Sequence, residues 1–486
     1  MNFNSFSFLS FIFVSLIVFH FFLKSRVLPW ILAAINIFFV MSFASSPFEA
    51  LPLFAFVALG YALLYAVQSY PAARVLKIAV VLIIASFVYL KQYSAVSFVP
   101  FLGSPYIVVG LSYILFRVIH LLIDTHDKAI KEKISPLGYF NFTCFFLSFL
   151  SGPIQRYQDF TRQLKEDVPR DVLSDRDVYT AFSRIATGYL KIIFLAPFFF
   201  NNPHPQYLDY AYVYGKLHGK SPLILSGWYS FAMISYLFKL YMNFSGYMDI
   251  VIGLGRLFHM KLPENFNRPF SSSNFLDFWS RWHITLAEWF KFYVFNPFSK
   301  ALMHKVNNPK LASYVGVAAY FFTFFLLGLW HGTTIMFFIY GLFLGLGVSV
   351  NKLYQVLMRD RLGKEKYQQL SSHPFYQHLA KGLTGSYFAV ALTCFWMDVD
   401  KFLGLFGNAA GTVLLLGFLG LGVFLAVFMF FWDSLVNGLS VLRGKCAGVI
   451  ESSFVRQCWL AVKVLLILYF ILININPAPE FMYQAF

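Results

Sequence analysis

Two apolar runs, at 311–329 and 335–350, stand on either side of Trp330-His331-Gly332. Each is long enough to cross most of a bilayer, whose hydrocarbon core takes about 20 helical residues. Only helices and closed barrels satisfy the backbone inside lipid, so runs of this kind restrict the chain to very few architectures. They also set a titratable side chain at the junction of two apolar segments. A histidine placed there needs a polar cavity or a partner, which makes His331 a functional-site candidate.

The same pattern recurs along the chain. Candidate spans lie at 6–23, 27–43, 51–67, 74–90, 105–123, 180–200, 222–242, 311–329, 333–350, 383–397, 411–432 and 458–475, about twelve by the length rule. With 59% hydrophobic and 12% charged residues, against about a quarter charged in soluble domains, an all-α polytopic membrane protein is expected. The 62 phenylalanines suit lipid-facing surfaces and interfacial belts. The first run has no basic segment before it and no small-residue cleavage site after it, so it is expected to remain as a span rather than be removed as a signal peptide.

The formal charge of +16 raises the question of a nucleic-acid partner. The position of the charges answers it. With the N-terminus outside, 29 of the 38 Lys and Arg residues fall in loops on the cytoplasmic side, 4 fall outside and 5 lie within spans. This asymmetry predicts a membrane protein with both termini outside and the bilayer, rather than nucleic acid, as its partner. Two cytoplasmic-side segments, 139–150 and 244–258, are apolar but too short to span, and they carry Asn, Ser and Gly. They are expected as re-entrant or half-buried helices around a central cavity. No repeat or linker divides the chain, so one integral domain over 1–486 is expected.

Cys144, Cys394, Cys446 and Cys458 have no paired spacing, which argues against a disulfide framework or a zinc site. The histidines show no metal-ligand pattern either, and no metal is expected. His20 and His120 are expected at span ends, satisfied by the interface, and His204, His218, His373 and His378 in loops.

The chemistry-bearing residues gather in 243–300. The chain reads Asn243-Phe-Ser245-Gly-Tyr-Met-Asp249, then Pro263-Glu-Asn265-Phe-Asn267-Arg268-Pro, then Arg281-Trp282-His283-Ile-Thr-Leu, about fifty residues before Trp330-His331-Gly332. These runs, in this order, resemble the membrane-bound O-acyltransferase (MBOAT) family, in particular its bacterial branch of alginate O-acetylation and teichoic acid D-alanyl transfer proteins. Ser151-Gly152-Pro153-Ile-Gln-Arg156-Tyr extends the resemblance, which covers about 140–350. One departure stands after Trp289, where the family usually carries Arg-Asp and this chain reads Lys291-Phe-Tyr-Val-Phe.

The resemblance implies the MBOAT fold, with a catalytic core at 140–350, and acyl transfer from a thioester such as acetyl-coenzyme A or an acyl-carrier thioester, with no bound cofactor. It places the family's histidine on His331, as a catalytic base or acyl-handling residue, with an interfacial histidine satisfied by a backbone carbonyl as the alternative. It places a second catalytic position on His283, which orients the donor or supports the second cavity wall, or else lies in an amphipathic interfacial stretch. It also implies a bacterial cytoplasmic (inner) membrane location. Histidine has the right ordinary pKa for a base at neutral pH. Asn265, Asn267 and Arg268 then hold a phosphate or carrier arm, or else serve a Pro-bracketed loop. Asn243 and Asp249 line a donor tunnel, or else pack helices through small polar groups. Arg281, Trp282 and Trp330 complete the candidate donor-binding set, with an amphipathic interfacial stretch as the alternative for the first two. Gly152 and Pro153 read as a turn.

The ending Phe481-Met-Tyr483-Gln-Ala-Phe486 is similar to the aromatic ending of bacterial members, and 476–486 is expected as an extracytoplasmic tail. Tyr483 can serve as an acyl relay, or the tail can rest on the membrane. The function expected is transfer of a short acyl group, most simply acetyl, across the membrane to an exported cell-envelope polysaccharide, with a secreted or anchored esterase-like (SGNH-type) partner. D-alanyl transfer to teichoic acid is the nearest alternative. A transporter with an intramembrane His331 relay is the alternative from another class, and it lacks the paired repeats common in transporters.

Overall fold

The computed structural model describes residues 6–102, 106–164, 173–197, 222–306, 308, 311–404, 410–445 and 452–473. Among them the regular elements are helices, joined by one isolated antiparallel bridge between Phe266 and Trp282. The chain divides into two compact units, Met1–Ile193 with Asn243–Glu264 and Lys463–Phe486, and Phe194–Met242 with Asn265–Val462.

The first unit holds α1 (Phe6–Phe21), α2 (Leu28–Met41), α3 (Pro47–Ser69), α4 (Ala73–Leu90), α5 (Leu111–His126), α6 (Pro136–Thr143), α7 (Tyr157–Leu164) and α8 (Asp175–Leu190). The last part of α9 (Pro222–Leu257) also belongs to it. Local chemistry sets the helix starts. Pro47 and Pro136 occupy first-turn positions where no N–H is required, and the Ser135 hydroxyl accepts the Gly138 amide at 3.1 Å. Asp175 and Asp177 open α8, where a carboxylate faces the positive helix end, after the Ser174 cap.

The core of this unit is pinned by α5, which is buried almost throughout. Its Arg117 donates to the carbonyls of Phe142 (3.2 Å), Thr143 (2.7 Å) and Ser148 (2.5 Å) and to the Ser148 hydroxyl (2.8 Å). Asn36 accepts the Phe146 amide at 2.9 Å and donates to Asn141 at 3.1 Å. These bonds explain why 139–150 forms α6 and a tight turn at Phe146–Ser148, buried in protein, where irregular backbone finds the partners that lipid would deny it. His120 also differs from expectation. It is buried on α5, where its Nε2 accepts the Tyr157 amide at 2.9 Å at the start of α7, rather than resting at an interface.

The second unit contains the first part of α9, then α10 (Phe275–Trp279), α11 (Ile284–Phe290), α12 (Asn296–Lys305), α13 (Ala312–Trp330), α14 (Ile335–Leu362), α15 (Lys364–Ser372), α16 (Pro374–Ala391), α17 (Val399–Gly404) and α18 (Ala410–Lys445). Helix α19 (Ser453–Ile473) follows, its residues from Lys463 belonging to the first unit. Among the described residues five helical stretches are long and apolar enough to cross a membrane: Pro47–Ser69, Ala73–Leu90, Ser313–Trp330, Ile335–Leu362 and Leu416–Val441. Ser7–Phe21 and Leu28–Met41 are apolar but shorter.

Several expected spans take another form. The run at 222–242 and the segment at 244–258 are one continuous helix, α9, because Ser245 and Gly246 do not break it; Gly246 instead lets α9 approach Gly188 of α8. The segment 244–258 is therefore not a separate re-entrant helix. His378 lies in α16 rather than in a loop, and His373 caps that helix. Residues 476–486, including Tyr483, lie outside the described residues.

Candidate active site

The helical pair α13 and α14 builds the platform for His331. Gly328 faces Gly341 backbone to backbone, and a Cβ on Gly341 would stand 2.7 Å from the Phe325 carbonyl, so the two helices meet at small-residue distance. His331 is the C-terminal cap of α13, and its amide donates to the Gly328 carbonyl at 3.1 Å. Gly332 is required next, because any side chain there would strike the Phe337 ring.

His331 is 6% exposed and is ringed by Trp330, Tyr340 and Phe395, with centroids at 4.9, 5.3 and 5.6 Å. Its Nδ1 lies 2.7 Å from the Leu327 carbonyl. A carbonyl can only accept, so Nδ1 carries the proton, and in the neutral ring Nε2 keeps its lone pair. A histidine fixed in this way presents one defined unprotonated nitrogen, Nε2.

The second histidine is positioned by the two motif runs pairing with each other. The Asn267 amide donates to the Arg281 carbonyl at 2.9 Å and the Ile284 amide to the Asn265 carbonyl at 3.0 Å, flanking the Phe266–Trp282 bridge. The Asn265 side-chain oxygen accepts from the Thr285 amide (3.0 Å) and hydroxyl (2.8 Å). Asn265 is fully buried and its amide oxygen is committed to the start of α11.

His283 precedes α11 at φ +46°, in the left-handed region that a histidine occupies only when its surroundings hold it there. It is 1% exposed. Burial, and then the nearby charge of His331, hold its imidazolium well below the ordinary histidine range. The two histidines therefore occupy one buried neighbourhood, which their separation in sequence does not reveal.

The remaining sequence candidates of this unit have distinct surroundings. Arg281 pairs with Asp277 at 2.9 Å, one turn earlier. Trp282 stacks on Phe278 at 5.5 Å and packs edge-on against Phe266 at 5.1 Å and at a tilt against Tyr241 at 5.9 Å. Asn267 and Arg268 are exposed, and Arg268 takes a left-handed φ of +47°. Among the described residues its guanidinium has neither a hydrogen bond nor an ion pair.

Asn243 and Asp249 belong to the first unit. Asp249 binds Arg184 at 2.9 Å and Lys191 at 2.6 Å, and Arg184 also holds Glu264 at 2.5 Å. Such a network joins α8 to α9 and accounts for Asp249 without any ligand. Asn243 is different: it is 1% exposed and neither amide atom has a partner among the described residues. Gly152 packs against the backbone of Ser148, consistent with a close turn. Sequence reasoning missed Arg117, whose position inside an apolar span was its one available signal.

A helical membrane protein with two buried histidines, one held as a single tautomer at a small-residue helix crossing, defines a class of site in which titratable rings are buried among apolar helices. Residues 75–388 match the family model described as membrane-bound O-acyltransferase family, and the chain belongs to that family.

Individual relatives include the teichoic acid D-alanyltransferase of Bacillus subtilis (strain 168), 32% identical over 48% of this chain and 56% of that protein. The peptidoglycan O-acetyltransferase of Helicobacter pylori is 28% identical over 51% of this chain and 47% of that protein. The probable alginate O-acetylase AlgI of Pseudomonas syringae pv. tomato is 27% identical over 50% and 42%. The chain spans about half the length of the curated relatives it matches.

Proposed function

We propose that this protein transfers a short acyl group, most simply acetyl, from a cytoplasmic thioester donor to a hydroxyl for modification of an exported cell-envelope polysaccharide. The observation that supports the reading is the Nδ1 bond from His331 to Leu327, which leaves Nε2 unprotonated and able to accept a proton, in a region that holds a second buried histidine. In the reaction Nε2 removes the acceptor hydroxyl proton as that oxygen attacks the thioester carbonyl carbon. The new C–O bond forms, the C–S bond breaks, and the proton passes from His331 to the departing thiolate. His283, kept neutral, can donate its N–H to the developing oxyanion. Asn267, exposed, is suited to the phosphate of a carrier arm.

The finer elements of this reading are a cytoplasmic-membrane location with both termini outside, an esterase-like (SGNH-type) partner on the outer side, and Tyr483 as the relay. The 29-to-4 distribution of Lys and Arg supports the orientation. In the relay the Tyr483 oxygen is the first acceptor, and the partner moves the acyl group on to the polymer.

The decisive measurement uses purified protein in proteoliposomes with radiolabelled acetyl-coenzyme A. Label transferred to protein or acceptor by the wild type and absent in His331→Ala supports the reading, and wild-type transfer in His331→Ala ends it. D-alanyl transfer from a carrier thioester is a second reading, favoured by the 32% identity to the Bacillus subtilis relative. Supplying each donor separately decides between the two.

A further inference from the structure

The second unit contains a cavity of about 1330 Å3 walled by the first part of α9, by α16 and by α18. Neither His283 nor His331 lines it. It is larger than the ~300–1,000 Å3 of ordinary small-molecule pockets. Along α18 its lining runs from Leu416 to Asn437, about 32 Å at 1.5 Å per residue. That length matches the ~30 Å hydrocarbon core of a bilayer. Phe231, Phe424 and Trp432 on its walls are 63%, 56% and 47% exposed, as expected of side chains that meet lipid rather than a protein core.

One end of this trough is polar. Helix α9 runs alongside α18 in the same direction, since the Ser230 hydroxyl donates to the Gly417 carbonyl at 3.0 Å and Phe238 packs on Phe428. Tyr241, a turn further, meets Phe270 at 5.0 Å, which brings Arg268 to the level of Trp432 and Asp433. At that level Lys381 holds Asp433 at 2.5 Å, with His378 3.6 Å from the same carboxylate. Among the described residues the carboxylate is thus matched by Lys381, and Arg268 is left as an uncompensated cation at the mouth.

We propose that this trough binds a diacyl phospholipid with a net anionic headgroup from the leaflet on the basic side of the membrane, its chains along α18 and its phosphate on Arg268. Charge and length select this occupant. A zwitterionic head brings its own cation to a site that already has one in excess, and a free anion leaves the bilayer-long apolar trough unfilled.

The test loads full-length protein from nanodiscs of equal phosphatidylglycerol and phosphatidylcholine, exchanges it into detergent, and counts retained phospholipid by native mass spectrometry. Wild type should keep phosphatidylglycerol about fivefold over phosphatidylcholine, the effect of one cation beside an anionic lipid. Arg268→Gln should lower phosphatidylglycerol retention by about the same factor. Gly420→Phe is the second variant: Gly420 lines the trough, and a Cβ there meets nothing within 4 Å, so the added ring fills the chain site without disturbing the fold. It too should lose the lipid, with a melting temperature like that of wild type. Equal retention of the two lipids by wild type, or wild-type retention in either variant, would overturn the assignment.

Discussion

At the scale of single residues, the two histidines carry different predictions. If His331 Nε2 is the base, His331→Ala should reduce turnover by roughly 10²–10⁴-fold with KM for the thioester little changed, because the lost interaction acts mainly in the transition state. Steady-state kinetics in proteoliposomes measure this, and an effect confined to KM would move His331 from chemistry to binding. His283 titrates into a penalty. The unfolded chain binds its proton near the ordinary value of about 6.5, while the folded chain binds it only well below that. The unfolded state therefore holds more protons in the window below about 6.5, and stability falls as pH drops through it. Melting temperatures between about pH 7.5 and 5.5 should decline in wild type and decline less in His283→Gln; parallel slopes would refute the assignment. His331 was legible because a titratable group between apolar runs has a short list of explanations. The side-chain role of Asn265 was not, since a capping amide and a ligand-binding amide look alike in sequence and differ only in whether Thr285 lies within 3.0 Å.

At the scale of elements, the motif runs act through pairing and the helices through close approach. Removing the Asn265 side chain leaves the buried Thr285 amide and hydroxyl without that acceptor, at about 1–3 kcal/mol. Asn267→Ala, on an exposed side chain, should stay within about 0.5 kcal/mol. Thermal or denaturant unfolding of the two variants, two positions apart, separates a structural zipper from a loop without structural weight; equal destabilisation would argue against the zipper. Gly328→Leu forces α13 from α14 where Gly341 leaves no room, at about 1–3 kcal/mol or more. Because His331 caps α13, activity should fall further than the melting temperature suggests. The apolar character of these helices could be read from the runs themselves. Continuity could not: 244–258 reads as a segment apart from the span at 222–242, whereas the two form one helix in which Gly246 packs against Gly188, and Arg117 orders 142–148 through contacts between positions at least 25 residues apart.

At the scale of the whole molecule, hydropathy conveys class more readily than path. Five described stretches meet the length and composition of a crossing helix, whereas α5 carries Arg117 and His120 inside the first unit and is buried by protein on nearly all its faces. A run of apolar residues cannot say whether its neighbour will be lipid or another helix. The charge distribution supplies what hydropathy omits, because Lys and Arg on short flanking loops report the side retained in the cytoplasm. Residues 91–104 and 124–179 flank the α5 region, and they carry 1 and 8 of the Lys and Arg residues. Ser97 and Ala129 are exposed in these two segments. In a background with Cys446 and Cys458 replaced, Ser97→Cys in bacterial spheroplasts should react with a membrane-impermeant maleimide. Ala129→Cys should react only after permeabilisation. The reverse pattern would invert the orientation, moving the basic loops, the Arg268 end of the lipid trough and the thioester entrance to the outer face. Because coenzyme A and carrier thioesters are cytoplasmic, that single result would also remove the donor from reach of the proposed base.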